Sequence, residues 1–117
     1  AHDSHNLVIV GASDEEMQLA AERLVQAGGG VIAVNGQDVL AELPLEIAGL
    51  MTNRPFQEVG DTLEALNDAL DVLEADRSFN PYLTMSFLCL PVIPELKLTD
   101  SGLFDVKHFQ HISVQAN

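Results

Sequence analysis

At 117 residues the chain has the length of one domain, and with 47% hydrophobic residues it is too apolar for disorder. Asp and Glu number 18 against 5 Lys and Arg, a formal net charge of −13. That balance argues against nucleic acid and against an anionic membrane surface, since both are held by cationic side chains. The single cysteine, Cys89, has no internal disulfide partner and fits a reducing cytoplasm. No apolar run approaches the roughly 18 residues of a membrane span. The start at Ala1-His2, with neither an initiator Met nor a signal-peptide pattern, reads as a cut inside a larger protein.

In chain order, the polar run His2-Asp3-Ser4-His5-Asn6 leads into Leu7-Val8-Ile9-Val10, an aliphatic run that reads as a buried strand. Ser13 and Glu16 have the spacing of a capping box. A helical stripe of Met17, Ala20, Ala21, Leu24 and Val25 follows, and Gly28-Gly29-Gly30 stops it. Residues 31–34 form a second strand, Asn35-Gly36 a hairpin turn, and residues 39–43 the antiparallel partner. Residues 46–51 suggest one or two helical turns. Pro55 opens a longer amphipathic helix over about 56–75, with Val59, Leu63, Leu66, Leu70 and Leu73 on its apolar face.

Residues 82–90 alternate like a strand, and Pro91 and Pro94 bracket an irregular or edge segment. A turn is expected at Asp100-Ser101-Gly102, and residues 112–114 read as a last strand or a tail. The expected fold is α/β: a mixed β-sheet with a βαβ unit, made by residues 7–10, the first helix and the second strand. A β-hairpin joins that sheet, and two main helices cover it.

The polar run is the only place where covalent proximity forces two His, an Asp, a Ser and an Asn together. In an extended chain His2 and Ser4 point one way and Asp3 and His5 the other, so only a loop converges them. An Asp beside a neutral His fixes its tautomer for acid–base work near neutral pH. An Asn amide bonds a purine edge at two points, as it does with adenine in DNA. The competing reading is a polar segment that caps the following strand.

A zinc site is the weaker reading: His2 and His5 supply two ligands with one carboxylate between them, but no CxxC or HExxH accompanies them. His108 and His111 read as incidental surface residues, and Cys89 as an inert small hydrophobe. Gly11-Ala12-Ser13 lacks the further glycines and the Lys of a phosphate loop, and acidic residues fill the helical turn after it.

A resemblance carries the reading further. The blocks His2-Asp3-Ser4-His5-Asn6-Leu7-Val8-Ile9-Val10-Gly11, Ser13-Asp14-Glu15-Glu16-Met17, Gly28-Gly29-Gly30 and Val39-Leu40-Ala41-Glu42-Leu43-Pro44-Leu45 are followed by Ile47-Ala48-Gly49-Leu50-Met51 and Thr84-Met85-Ser86-Phe87-Leu88. Then come Leu90-Pro91-Val92-Ile93-Pro94-Glu95-Leu96-Lys97-Leu98-Thr99-Asp100 and Gly102-Leu103. In that order they resemble the C-terminal region of the microbial adenine deaminases, of the amidohydrolase group. The resemblance implies hydrolysis of adenine to hypoxanthine and ammonia, with a divalent metal of manganese or iron type held in a preceding TIM-barrel domain.

It also implies that residues 1–117 are a C-terminal domain lacking its leading portion, inactive and without cofactor alone, with an open sheet edge. The expected partners are the barrel domain of the same enzyme, adenine and further copies of the chain. His2, Asp3, His5 and Asn6 are the expected substrate-binding residues, closing or lining the purine pocket. No catalytic residue or metal ligand is assigned to this chain. The alternative is a non-catalytic domain that braces the barrel or mediates oligomerisation.

Overall fold

Ser13 starts the first helix by giving the chain a partner for an otherwise orphaned amide. Its hydroxyl accepts the Glu16 N–H at 3.3 Å and donates to the Glu16 carboxylate at 2.8 Å, a closed capping box. The computed structural model describes residues 1–115 and divides into two units. One is Ile9–Pro81, and the other combines residues 1–8 with those from 82 on. Among the described residues there are three helices and two small antiparallel sheets, so the α/β class stands. No helix among them is long and apolar enough to cross a membrane.

In the first unit, α1 (Asp14–Ala27) ends where Gly28 turns left-handed, with φ of 81°, and the Gly29 N–H closes on the Leu24 carbonyl at 2.8 Å. Strands β1 (Gly30–Asn35) and β2 (Asp38–Pro44) pair antiparallel through the Asn35-Gly36 turn, with an irregularity between Ala33 and Val34. Then α2 (Phe56–Val72) follows directly on Pro55. Both helices lie on the hairpin, α1 against β1 and α2 against both strands. The core is Ala20 and Leu24 from α1, Ala33, Ala41 and Leu43 from the strands, and Leu66, Ala69 and Leu70 from α2. Small residues at 20, 33, 41 and 69 let helix and hairpin backbones approach closely.

The second unit has α3 (Pro81–Met85) at its entrance and a three-stranded sheet in the order β3 (Leu96–Thr99), β4 (Gly102–Asp105), β5 (Gln110–His111). Phe104 is buried under one face of that sheet, edge-on to Phe109 at 5.2 Å and to His111 at 5.0 Å. Cys89 and Ser86 complete this core.

Four expectations are corrected. Residues 7–10 form no strand, so among the described residues there is no βαβ unit and no single mixed sheet. An aliphatic run signals burial, but a strand also needs a neighbouring backbone to pair with. Here Leu7 and Val10 are 56% and 67% exposed, and among the described residues 7–10 pair with no strand. Residues 82–90 are not a strand either. Pro81 takes the first position of a helix, and the Ser86, Phe87 and Leu88 amides each bond three residues back. Burial at Ser86 and Cys89 follows the helical spacing, not the alternation. Residues 46–51 make a tight turn closed by an Ile47–Met51 bridge, because Ala48 and Gly49 both take positive φ and no helix passes through them. The long helix also ends at Val72 and does not reach 75.

Candidate functional site

The polar run folds as a single turn. The His5 N–H donates to the Ala1 carbonyl at 2.9 Å, and the Ala1 amine donates to the Asn6 carbonyl at 3.0 Å. His5 sits in the left-handed region with φ of 55°, a conformation that costs a non-glycine residue about 1–2 kcal/mol. The turn sorts the side chains. Ser4 goes inward, where its hydroxyl meets the Cys89 thiol at 2.8 Å. His2 lays its ring edge-on to Phe87, centroids 6.0 Å apart. His2 Nε2 and Asp3 Oδ2 stand 3.8 Å apart, within ionic range but beyond a hydrogen bond. His5 is exposed and Asn6 half-buried.

Of the four expected site residues, then, the turn brings His2 and Asp3 together and leaves His5 facing solvent. The residue that anchors the segment is Ser4. Its partner lies 85 positions away, so no local spacing signalled the pair.

Among the described residues no group of three or more His, Cys, Asp and Glu side chains is placed to hold a metal ion. Zinc-type sites draw on three or four protein ligands, so the His2–Asp3 pair does not fit one. A shallow surface pocket of about 320 Å³ lies in the other unit, lined by Asn67, Leu70, Arg77 and residues 78–81. Its one cation is already engaged: Arg77 donates to Asp71 at 2.5 Å and to the Asn67 carbonyl at 2.9 Å.

A second polar constellation sits in the turn between β4 and β5. Asp105 accepts the His108 backbone N–H at 3.1 Å on one oxygen and meets His108 Nδ1 at 2.7 Å with the other. The His108 ring and then its backbone N–H hold the Asp105 carboxyl below its ordinary value. Lys107, next in the turn, is ion-paired with Glu95. His108 is therefore an exposed imidazole oriented by Asp105 within the turn, and the D-x-x-H spacing is the local signal for that pair.

The chain matches the adenine deaminase C-terminal domain family over residues 1–110. It is 52% identical to an adenine deaminase of Listeria monocytogenes serovar 1/2a over the whole chain and 20% of that relative. It is also 52% identical to that of Lysinibacillus sphaericus, over 99% of the chain and 20% of the relative. Against the adenine deaminase of Bacillus subtilis strain 168 the identity is 46%, over 98% of the chain and 20% of the relative. The chain thus spans about a fifth of the length of these curated relatives. It belongs to the adenine deaminase C-terminal domain family.

Proposed function

We propose that the chain works as the C-terminal part of an enzyme that hydrolyses adenine to hypoxanthine and ammonia. The support is the family match over residues 1–110 together with the names of the relatives. Water replaces the exocyclic amino group in that reaction: the new C–O bond forms, the C–N bond breaks, and the departing nitrogen takes up a proton as ammonia. An activated water and a proton carrier are needed. Among the described residues no group of side chains is placed to hold a metal; in this reading the divalent metal is held by a barrel domain of the longer enzyme. Self-association and a cytoplasmic setting belong to the same reading.

The role proposed for this chain is to close the purine pocket. His2, Asp3, His5 and Asn6 would supply donors and acceptors to the adenine ring. An amide such as that of Asn6 both donates and accepts, matching a ring nitrogen beside an amino group. The outward attitude of His5 leaves its ring available to a group outside this unit.

The test is kinetic, on the full-length enzyme with His5→Ala and Asn6→Ala. Loss of one or two hydrogen bonds to substrate lowers kcat/KM for adenine by about ten- to a hundred-fold. Unchanged kcat and KM in both variants would reduce the segment to a structural turn.

A further inference from the structure

Strand β3 reads Leu96-Lys97-Leu98-Thr99, a strict alternation of apolar and polar side chains. In a sheet with one wet face the apolar set normally points to the core. Here it points out: Leu96 and Leu98 are 51% and 63% exposed. Lys97 lies directly across from buried Phe104. Thr99 bonds the Gly102 carbonyl at 2.8 Å within the turn.

The register puts Leu98 opposite Leu103, and Leu96 opposite Asp105, so Leu96, Leu98 and Leu103 share the outer face. The Leu98 N–H donates to the Leu88 carbonyl at 3.2 Å, bringing the half-exposed Leu88 alongside. A one-residue slip would exchange the two faces of β3, yet the chain holds the register that exposes the leucines.

We infer that the outer face of the β3–β4 sheet, centred on Leu96, Leu98 and Leu103, docks against the remaining polypeptide of a longer adenine deaminase. The inference rests on the proposed function, in which the chain is one part of such an enzyme, and it names the surface that joins that part to the rest. About four-fifths of each relative's length lies outside the matched segment, which is ample chain to cover a patch of this kind. A second copy of the chain fits less well. Each copy carries a formal −13, and Asp105 shares the leucine face, so two copies meeting there would oppose like charges while losing water. The occupant should present an apolar centre with cationic or N–H donors at its edge.

Thiol labelling of the full-length enzyme tests this. Leu98→Cys is compared with Ser101→Cys, three residues away in the exposed turn of the same hairpin, and labelled sites are mapped by mass spectrometry. Docking slows maleimide labelling at position 98 at least ten-fold relative to 101. Equal rates in a folded, active enzyme overturn the proposal. So does protection at 98 that disappears on dilution to monomer, since a second copy then covers the face.

Hydroxyl-radical footprinting of the unmodified enzyme reads Leu96 and Leu98 without any variant and should find both protected. Protection at 98 alongside unchanged kinetics of His5→Ala and Asn6→Ala would uphold the docking face while removing the pocket role. Labelling at 98 with impaired kinetics would do the reverse.

Discussion

Glu16 Oε1 accepts the backbone N–H of Gly36 at 2.7 Å, tying the first turn of α1 to the tip of the β1–β2 hairpin twenty residues later. The other carboxylate oxygen takes the Ser13 hydroxyl at 2.8 Å. One side chain thus closes the helix cap and fixes the hairpin turn against it. These two bonds, the Gly36 amide first, hold the Glu16 carboxyl below its ordinary value of 4.5. The folded-state pKa is lower than the unfolded one, so the linked stabilisation is fully present above the ordinary value. It is lost as pH falls through the depressed one. Glu16→Ala should therefore lower the urea midpoint at about pH 7, and its deficit should shrink as pH falls below the ordinary value and through the depressed one, where wild type becomes protonated as well. A deficit independent of pH would show that the carboxylate charge has no part in the contact.

Gly29 has φ of +119°, and a Cβ built there would lie 2.4 Å from the Gly49 Cα. Gly36 also has positive φ, at +59°, but a Cβ there meets nothing within 4 Å. The two glycines therefore separate backbone strain from steric contact. Gly36→Ala should cost about 1–2 kcal/mol, the price of a left-handed alanine. Gly29→Ala adds a backbone collision that no rotamer relieves, and should cost at least about 3 kcal/mol. Equilibrium urea unfolding of both variants checks the order; equal losses would mean that the 46–51 turn moves aside without penalty.

What the sequence made legible was the local chemistry. Ser13 and Glu16 announced a cap, Asn35-Gly36 a hairpin, and the Gly28 triplet a helix stop, because each works through bonds within a few residues. The second and third glycines of that triplet also serve a distant contact: a Cβ at Gly30 would come within 2.2 Å of the Leu43 carbonyl oxygen. Residues 7–10 were legible as neither strand nor core: an aliphatic run specifies no partner strand, and Leu7 and Val10 stay exposed. At 82–90 the same apolar residues satisfied period two on paper. The proline at 81 and the back-bonding Ser86 hydroxyl, 2.6 Å from the Leu83 carbonyl, settled the segment as helical turns. In the candidate site, the crowding of His2, Asp3, His5 and Asn6 was visible, but the Ser4–Cys89 anchor was not, because its halves are remote in sequence. The Asp105–His108 pair, by contrast, is only three residues apart and lies within reach of local spacing.

The Asp105–His108 pair gives a local reading of the second unit. The His108 ring is the largest cause of the lowered Asp105 carboxyl pKa and the His108 backbone N–H the next. His108→Ala removes the ring and keeps the amide. The Asp105 pKa should therefore rise towards its ordinary value of 3.8 without reaching it. Carboxyl-carbon NMR titration of wild type and variant measures this directly. Because the wild-type folded value is depressed, the pair's contribution to stability holds above the ordinary value and fades as pH falls through the depressed one. The variant should lose the part of that acid-side dependence that the ring supplies. An Asp105 titration that does not move in His108→Ala would assign the depression to the turn amides alone, and the imidazole would then be a passenger of the turn and not its partner.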